Sequence, residues 1–205
     1  MEAVMDTTLF LTTFLTLFVI MDPVGTVPVF LALTSTMTAK QRARAAFQAV
    51  AVAFGVILAF MLFGRYILDF LGISVPALQA SGGLLLLLVA MDPLTGKAED
   101  PSYSAKVNVA LVPLGTPLLA GPGAIVAAML AVQSSGGTVP GWVAIMLALI
   151  AVNICLYLGM RFAVIVHRVL GEGGTMLITR ISGLLLAAIA VQLIADAIRA
   201  FVTGG

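Results

Sequence analysis

The sequence predicts an all-α membrane protein: six transmembrane helices arranged as two inverted three-helix repeats, with helices 1 and 4 broken in mid-membrane. Three observations carry that expectation. Hydrophobic residues make up 61% of the 205 residues and charged residues only 9%, which leaves too little polar surface to cover a water-soluble domain. Apolar stretches of spanning length recur along the chain without the alternation of barrel strands. Phrases in the first half return, in order, in the second.

The apolar stretches run from about Thr8 to Thr34, Ala45 to Gly64, Val75 to Met91, Val107 to Val132, Pro140 to Ala163 and Ile178 to Ala200. In lipid the backbone must satisfy its own hydrogen bonds, so each reads as a helix. The chain is one transmembrane domain, 1–205, with a first repeat over about 8–91, a linker over 92–106 and a second repeat over about 107–201. The opening MEAVMDTT has no basic region ahead of its apolar run, so the first span is expected to stay in the mature protein. The single cysteine, Cys155, sits in an apolar segment and reads as a packing residue.

Charge sets the orientation. Lys40, Arg42 and Arg44 follow span 1, Lys97 and Lys106 follow span 3, and Arg161, Arg168 and Arg180 lie around the loop after span 5. Only Arg65 and Arg199 fall on the other side. The positive-inside rule therefore makes the first side cytoplasmic, with both termini outside and Trp142 as an outer-interface anchor. The net charge of +1 decides nothing about partners, and no Lys/Arg run is long enough to suggest a nucleic-acid surface, so none is expected.

The halves echo each other at a spacing of roughly one hundred residues. ASGGLLLLLVAMD (80–92) matches ISGLLLAAIAVQ (181–192), LFGRY (62–66) matches LGMRF (158–162), and DPVG (22–25) pairs with GPGA (121–124). With three spans per half, the second copy must enter the membrane from the opposite face, a common plan of secondary transporters.

The paired interruptions carry the chemistry. In MDPVGTVPVF (21–30), Asp22 before Pro23 matches a helix start: the carboxylate accepts from free N–H groups and the proline occupies the first turn. Pro28 lacks the N–H that would bond back to Val24, so the turn stays irregular. In PLGTPLLAGPGAI (113–125), with Pro117 in its approach, Gly121 precedes Pro122 in the same way, but the cap has no carboxylate. The N–H groups of Gly123, Ala124 and Ile125 would then face the break at the positive end of a half-helix. An anion at Asp22 and Gly25 facing a set of donors suits a zwitterion, the form of an α-amino acid. Asp22 is alternatively only a cap, and Thr26 and Thr116 either offer hydroxyls to a solute or bond their own helices.

Other polar residues read as structural. Asp92 belongs to a solvated helix end, and Asp196 and Arg199 to an interfacial pair. Asn108, Asn153 and Gln192 read as interhelical hydrogen-bonding groups. The Ser81–Gly83 and Ser182–Gly183 clusters read as close-contact points, and His167 as an interface residue.

With DPVGTVPVF and PLGTPLLAGPGAI in hand, the chain resembles the MarC family of integral membrane proteins, grouped with LysE-type exporters, over its whole length. The resemblance rests on Asp22, Pro23, Gly25 and Pro28 in the first motif and on Pro117, Gly121, Pro122 and Gly123 in the second. It implies a protein of the prokaryotic inner membrane, and some members are described as neutral amino-acid transporters. The expectation is a secondary transporter of a small zwitterionic solute, with no cofactor, coupled to either protons or sodium, and with a homo-oligomer left open. The competing classes are a passive channel, an assembly factor and an intramembrane aspartyl enzyme built on Asp22 and Asp92. One histidine and one cysteine far apart disfavour metal hydrolysis.

Overall fold

A computed structural model describes residues 6–95 and 119–203, apart from the side chains of 92–95 and Glu172. Among them the chain is entirely helical: α1 (Thr7–Met21), α2 (Thr26–Leu33), α3 (Ala39–Leu71), α4 (Val75–Thr95), α5 (Pro122–Ser134), α6 (Val139–Arg161) and α7 (Ala163–Thr203). α3, α6 and the Gly173–Thr203 part of α7 are long and apolar enough to cross a membrane. The pair α1–α2, bent by 45°, would make a fourth span, while Val75–Met91 and α5 are shorter apolar helices. The approach to α5, with Asn108, Thr116 and Pro117, lies outside the described residues, as do Lys97, Lys106 and the Asp92 side chain.

Local chemistry sets the boundaries. Asp6 caps α1 by accepting from the Leu9 N–H at 3.0 Å, and Thr38 and Gln41 form a capping box at the start of α3. Thr138 caps α6 ahead of Pro140, where a missing N–H costs nothing. α7 departs from helical geometry at Gly171, whose φ of 64° and ψ of −179° suit only glycine. Its first part, with His167 and Arg168, is thereby set off from the apolar span.

Small residues let the helices approach closely. A buried stripe on α3, Ala45, Ala46, Ala49, Ala53, Ile57, Met61 and Gly64, recurs at helical spacing. A methyl group added at Gly64 would meet Met129 of α5, at 2.5 Å from its Cε. One built on Gly83 would lie 2.7 Å from the Ala190 carbonyl oxygen of α7. α4 and α5 run antiparallel, because Gly82 abuts Val126 while Gly123 abuts Leu86. α1 and α6 run in the same direction: the Asp6 N–H reaches the Pro140 carbonyl at 3.4 Å, and Gly159 lies against the Pro23 carbonyl at the other end.

Candidate functional site

The first interruption falls where the sequence places it. α1 ends at Met21 and the chain turns at Asp22, whose φ of 39° and ψ of 74° make it the one non-glycine residue with positive φ among the described residues. Aspartate tolerates this left-handed conformation better than most side chains, and such strain concentrates at functional turns. Pro23 is buried. The carboxyl oxygen Oδ1 of Asp22 accepts from the Gly25 N–H at 3.0 Å, so Asp22 caps the Pro23–Gly25 turn from its first position. Regular helix resumes only at Thr26, three residues later than Pro23, because the Val27 N–H bonds the Val24 carbonyl at 3.1 Å in a tighter turn. Pro28 sits in the first turn of α2, where its missing N–H is tolerated.

Gly25 is required by proximity. A Cβ built there would overlap Oδ2 of Asp22 and lie 2.8 Å from its Cγ. Thr26 is buried, and its hydroxyl donates to the Asp22 carbonyl oxygen at 2.8 Å, so the backbone-bonding alternative holds for that proton. A partner that the sequence reading missed completes the turn. The Ser182 hydroxyl on α7 donates to Oδ1 of Asp22 at 3.3 Å, joining residues 160 apart in the chain. The SG phrase had pointed only to close packing; the hydroxyl beside that glycine was the available signal.

The second expected interruption falls at the start of α5, and whether a helix precedes it lies outside the described residues. Residues 119–121 are non-helical, Gly121 is the extended N-cap with φ −61° and ψ 161°, and Pro122 opens the helix. No side chain caps it. The expectation of three open donors is corrected: the Ala124 and Ile125 N–H groups both bond the Gly121 carbonyl, at 3.0 and 3.2 Å. Only the Gly123 N–H has no partner among the described residues. Gly123 itself is buried against Leu86 so closely that a Cβ would overlap Cδ2.

No hydrogen bond joins the two turns among the described residues. They border one apolar cluster that includes Met21 and Val27 on one side and Leu119, Ala120 and Ala124 on the other. Two further expectations change. Asn153 and Gln192 bond within their own helices, to the Leu149 carbonyl at 2.8 Å and to Asp196 at 2.9 and 3.0 Å, and not between helices. Asp196 is thus partnered by Gln192 and not by Arg199, and among the described residues the ion pair is Arg65–Asp69 at 4.0 Å.

A cavity of about 530 Å³ lies between α1, α4, α5 and α7. Its polar lining is Thr12, Thr13, Thr16, Gln79, Gln133 and Ser134, none of them singled out from the sequence. The threonines at 12, 13 and 16 in TTLFLTTFLT share one helix face, a pattern easily taken for ordinary span composition. Among the described residues no group of three or more His, Cys, Asp or Glu side chains gathers to hold a metal.

A sequence profile described as "MarC family integral membrane protein" matches residues 7–202. The chain is 39% identical over 202 residues to a UPF0056 membrane protein of Methanocaldococcus jannaschii, covering 95% of this chain and 98% of the relative. A UPF0056 membrane protein of Aquifex aeolicus is 35% identical, covering 93% and 92%. The UPF0056 inner membrane protein MarC of Citrobacter koseri is 30% identical, covering 86% and 88%. No solved structure matches the chain.

Proposed function

We propose that this chain, which belongs to the MarC family of integral membrane proteins, is a secondary transporter that moves a small zwitterionic solute, a neutral amino acid, across the membrane by alternating access. The observation that carries the reading is the helix break at Asp22 together with the helix start at Pro122, both bordering one core cluster. One holds a carboxyl group in a strained turn. The other offers the Gly123 N–H at a helix start that no side chain caps. Irregular backbone within apolar spans is tolerated only under protein cover or beside a water-filled cavity, and transporters use such turns to hold cargo. In this reading the solute ammonium lies at Asp22 and its carboxylate at the Gly121–Gly123 turn.

The inverted-repeat plan belongs to the same proposal. Helix pairing supports it: with α5 matched to α2 by the DPVG and GPGA phrases, exchanging the halves carries the packing of α2 on α6 into that of α3 on α5 and of α2 on α7 into that of α4 on α5, and leaves α4 on α7 and α3 on α6 in place. The relative of that name being an inner membrane protein, together with the basic starts of α3 and α7, supports an inner-membrane location with both termini outside. The coupling ion is a proton at Asp22 or sodium at carbonyls freed by the breaks.

The test is uptake and counterflow of labelled glycine, alanine and serine in proteoliposomes under imposed proton or sodium gradients. Accumulation above empty vesicles, lost in Asp22→Asn, is expected. Flux without counterflow would make the protein a channel, and no flux with any solute or gradient would reject transport.

A further inference from the structure

The cavity between α1, α4, α5 and α7 has a direction. It is lined by Leu9 near the start of α1, Gln79 near the start of α4, Ser134 at the end of α5 and Leu193 well along α7, and it stops at Leu17 and Ala127. Asp22 lies five residues beyond Leu17, and Gly123 four before Ala127. At about 1.5 Å per residue, each break is roughly 6 to 8 Å below the cavity floor. Leu17 is fully buried, so the floor is closed here.

The lining keeps hydrogen-bonding capacity in reserve. Thr12 and Ser134 donate to the Thr8 and Ala131 carbonyls of their own helices. The side chains of Thr13, Thr16, Gln79 and Gln133 make no hydrogen bond among the described residues. Thr13 is only 5% exposed. Its hydroxyl is not among the fully buried unpartnered atoms, so it keeps surface open to water or a solute in the cavity that Thr13 lines. Hydroxyls and amides each donate and accept.

Among the described residues no charged residue lines this cavity, yet Gln133 also borders a second recess, of about 380 Å³, that contains the exposed Arg65–Asp69 pair. Charge of both signs stands in the neighbouring recess, and none among the described residues lining this cavity. A solute with net charge would leave its hydration without a counter-charge, which costs several kcal/mol. A net-neutral polar solute carries its own compensation and can spend its polar groups on Thr13, Thr16, Gln79 and Gln133. The volume holds on the order of fifteen water molecules, or an amino-acid-sized solute with part of its hydration.

Resting on the transport reading and deepening it, we propose that this cavity is the aqueous outer vestibule of the pathway, a first binding site for net-neutral, hydrogen-bonding solutes that excludes net charge. In a Cys155→Ala background, Thr16→Cys and Gln133→Cys place thiols on opposite walls, and Leu17→Cys places one at the floor. Right-side-out vesicles are treated with a neutral, membrane-impermeant sugar-linked methanethiosulfonate. Thr16→Cys and Gln133→Cys are expected to react at least 10-fold faster than Leu17→Cys. Glycine, alanine or serine slows the reaction, while lysine and glutamate at equal concentration do not. Separately, Thr13→Val, which keeps the shape and removes the hydroxyl, weakens that protection about 3- to 10-fold.

Reaction at neither wall, or only with a lipid-soluble maleimide, would make the cavity a lipid-facing void and overturn the proposal. So would protection by none of the neutral amino acids, or equal protection by charged ones. Labelling and protection without proteoliposome uptake would leave the vestibule standing and sink the transporter. Uptake without labelling would do the reverse.

Discussion

Gly25→Ala isolates the contact that shapes the first break. Gly25 has φ −64° and ψ −26°, a conformation that alanine adopts freely, so the backbone alone would favour the change by about 0.4–1 kcal/mol. The added methyl overlaps Oδ2 of Asp22, so the carboxyl group must swing away. It then loses the 3.0 Å bond from Gly25 and the weaker 3.3 Å bond from Ser182. Bonds of this kind contribute about 1–3 kcal/mol together, and the strained turn at Asp22 loses its support, so the net expectation is destabilisation by about 1–3 kcal/mol. In an Asp22→Gly background both the clash and the strain vanish. There the same Gly25→Ala change should be neutral or stabilising by up to about 1 kcal/mol. Thermal unfolding of the four proteins in one mild detergent measures the reversal of sign. Equal destabilisation in both backgrounds, or none in the parent, would refute this account of the turn.

Asp22→Asn keeps a side chain that tolerates left-handed backbone and still accepts from Gly25, so it should fold with a melting temperature near the parent's while solute binding, read by thermal shift, disappears. Binding that survives would leave Asp22 as a cap alone. Gly123→Ala should cost about 1–3 kcal/mol through overlap with Leu86, and Leu86→Ala in the same chain should recover part of it in the same unfolding assay. Asn153 is buried with its Oδ1 unpartnered, so Asn153→Leu should raise stability by about 1 kcal/mol. A loss of stability would mean that the oxygen has a partner such as water.

What could be read from the sequence was what local rules determine. The break at Asp22–Pro23 and the proline start of α5 follow from capping chemistry within a few residues, and both were legible. The apolar stretches were legible too, though α1 and α2 had to be seen as one bent segment and α5 proved short. Contacts between distant residues were not readable. Nothing near Ser182 in the chain says that it meets Asp22, and nothing in TTLFLTTFLT says which threonines face a cavity rather than lipid. Local bonding also took groups that sequence reasoning had assigned to neighbours: the Gly121 carbonyl claims two of the three donors expected to stay open, and Asn153 turns back to its own helix. The polar atom nearest in the chain often wins, because no loop must close to reach it.

The eight residues of α2 are held at each end by side-chain as well as main-chain bonds to main-chain oxygens. Thr26 reaches back to Asp22 at the start, and Arg42 of α3 holds the Thr34 carbonyl at 3.2 Å at the finish. A rod of about 12 Å fastened this way also buries Val27 and Phe30 in the core, so turning it about its long axis would give up their packing as well as its terminal hydrogen bonds.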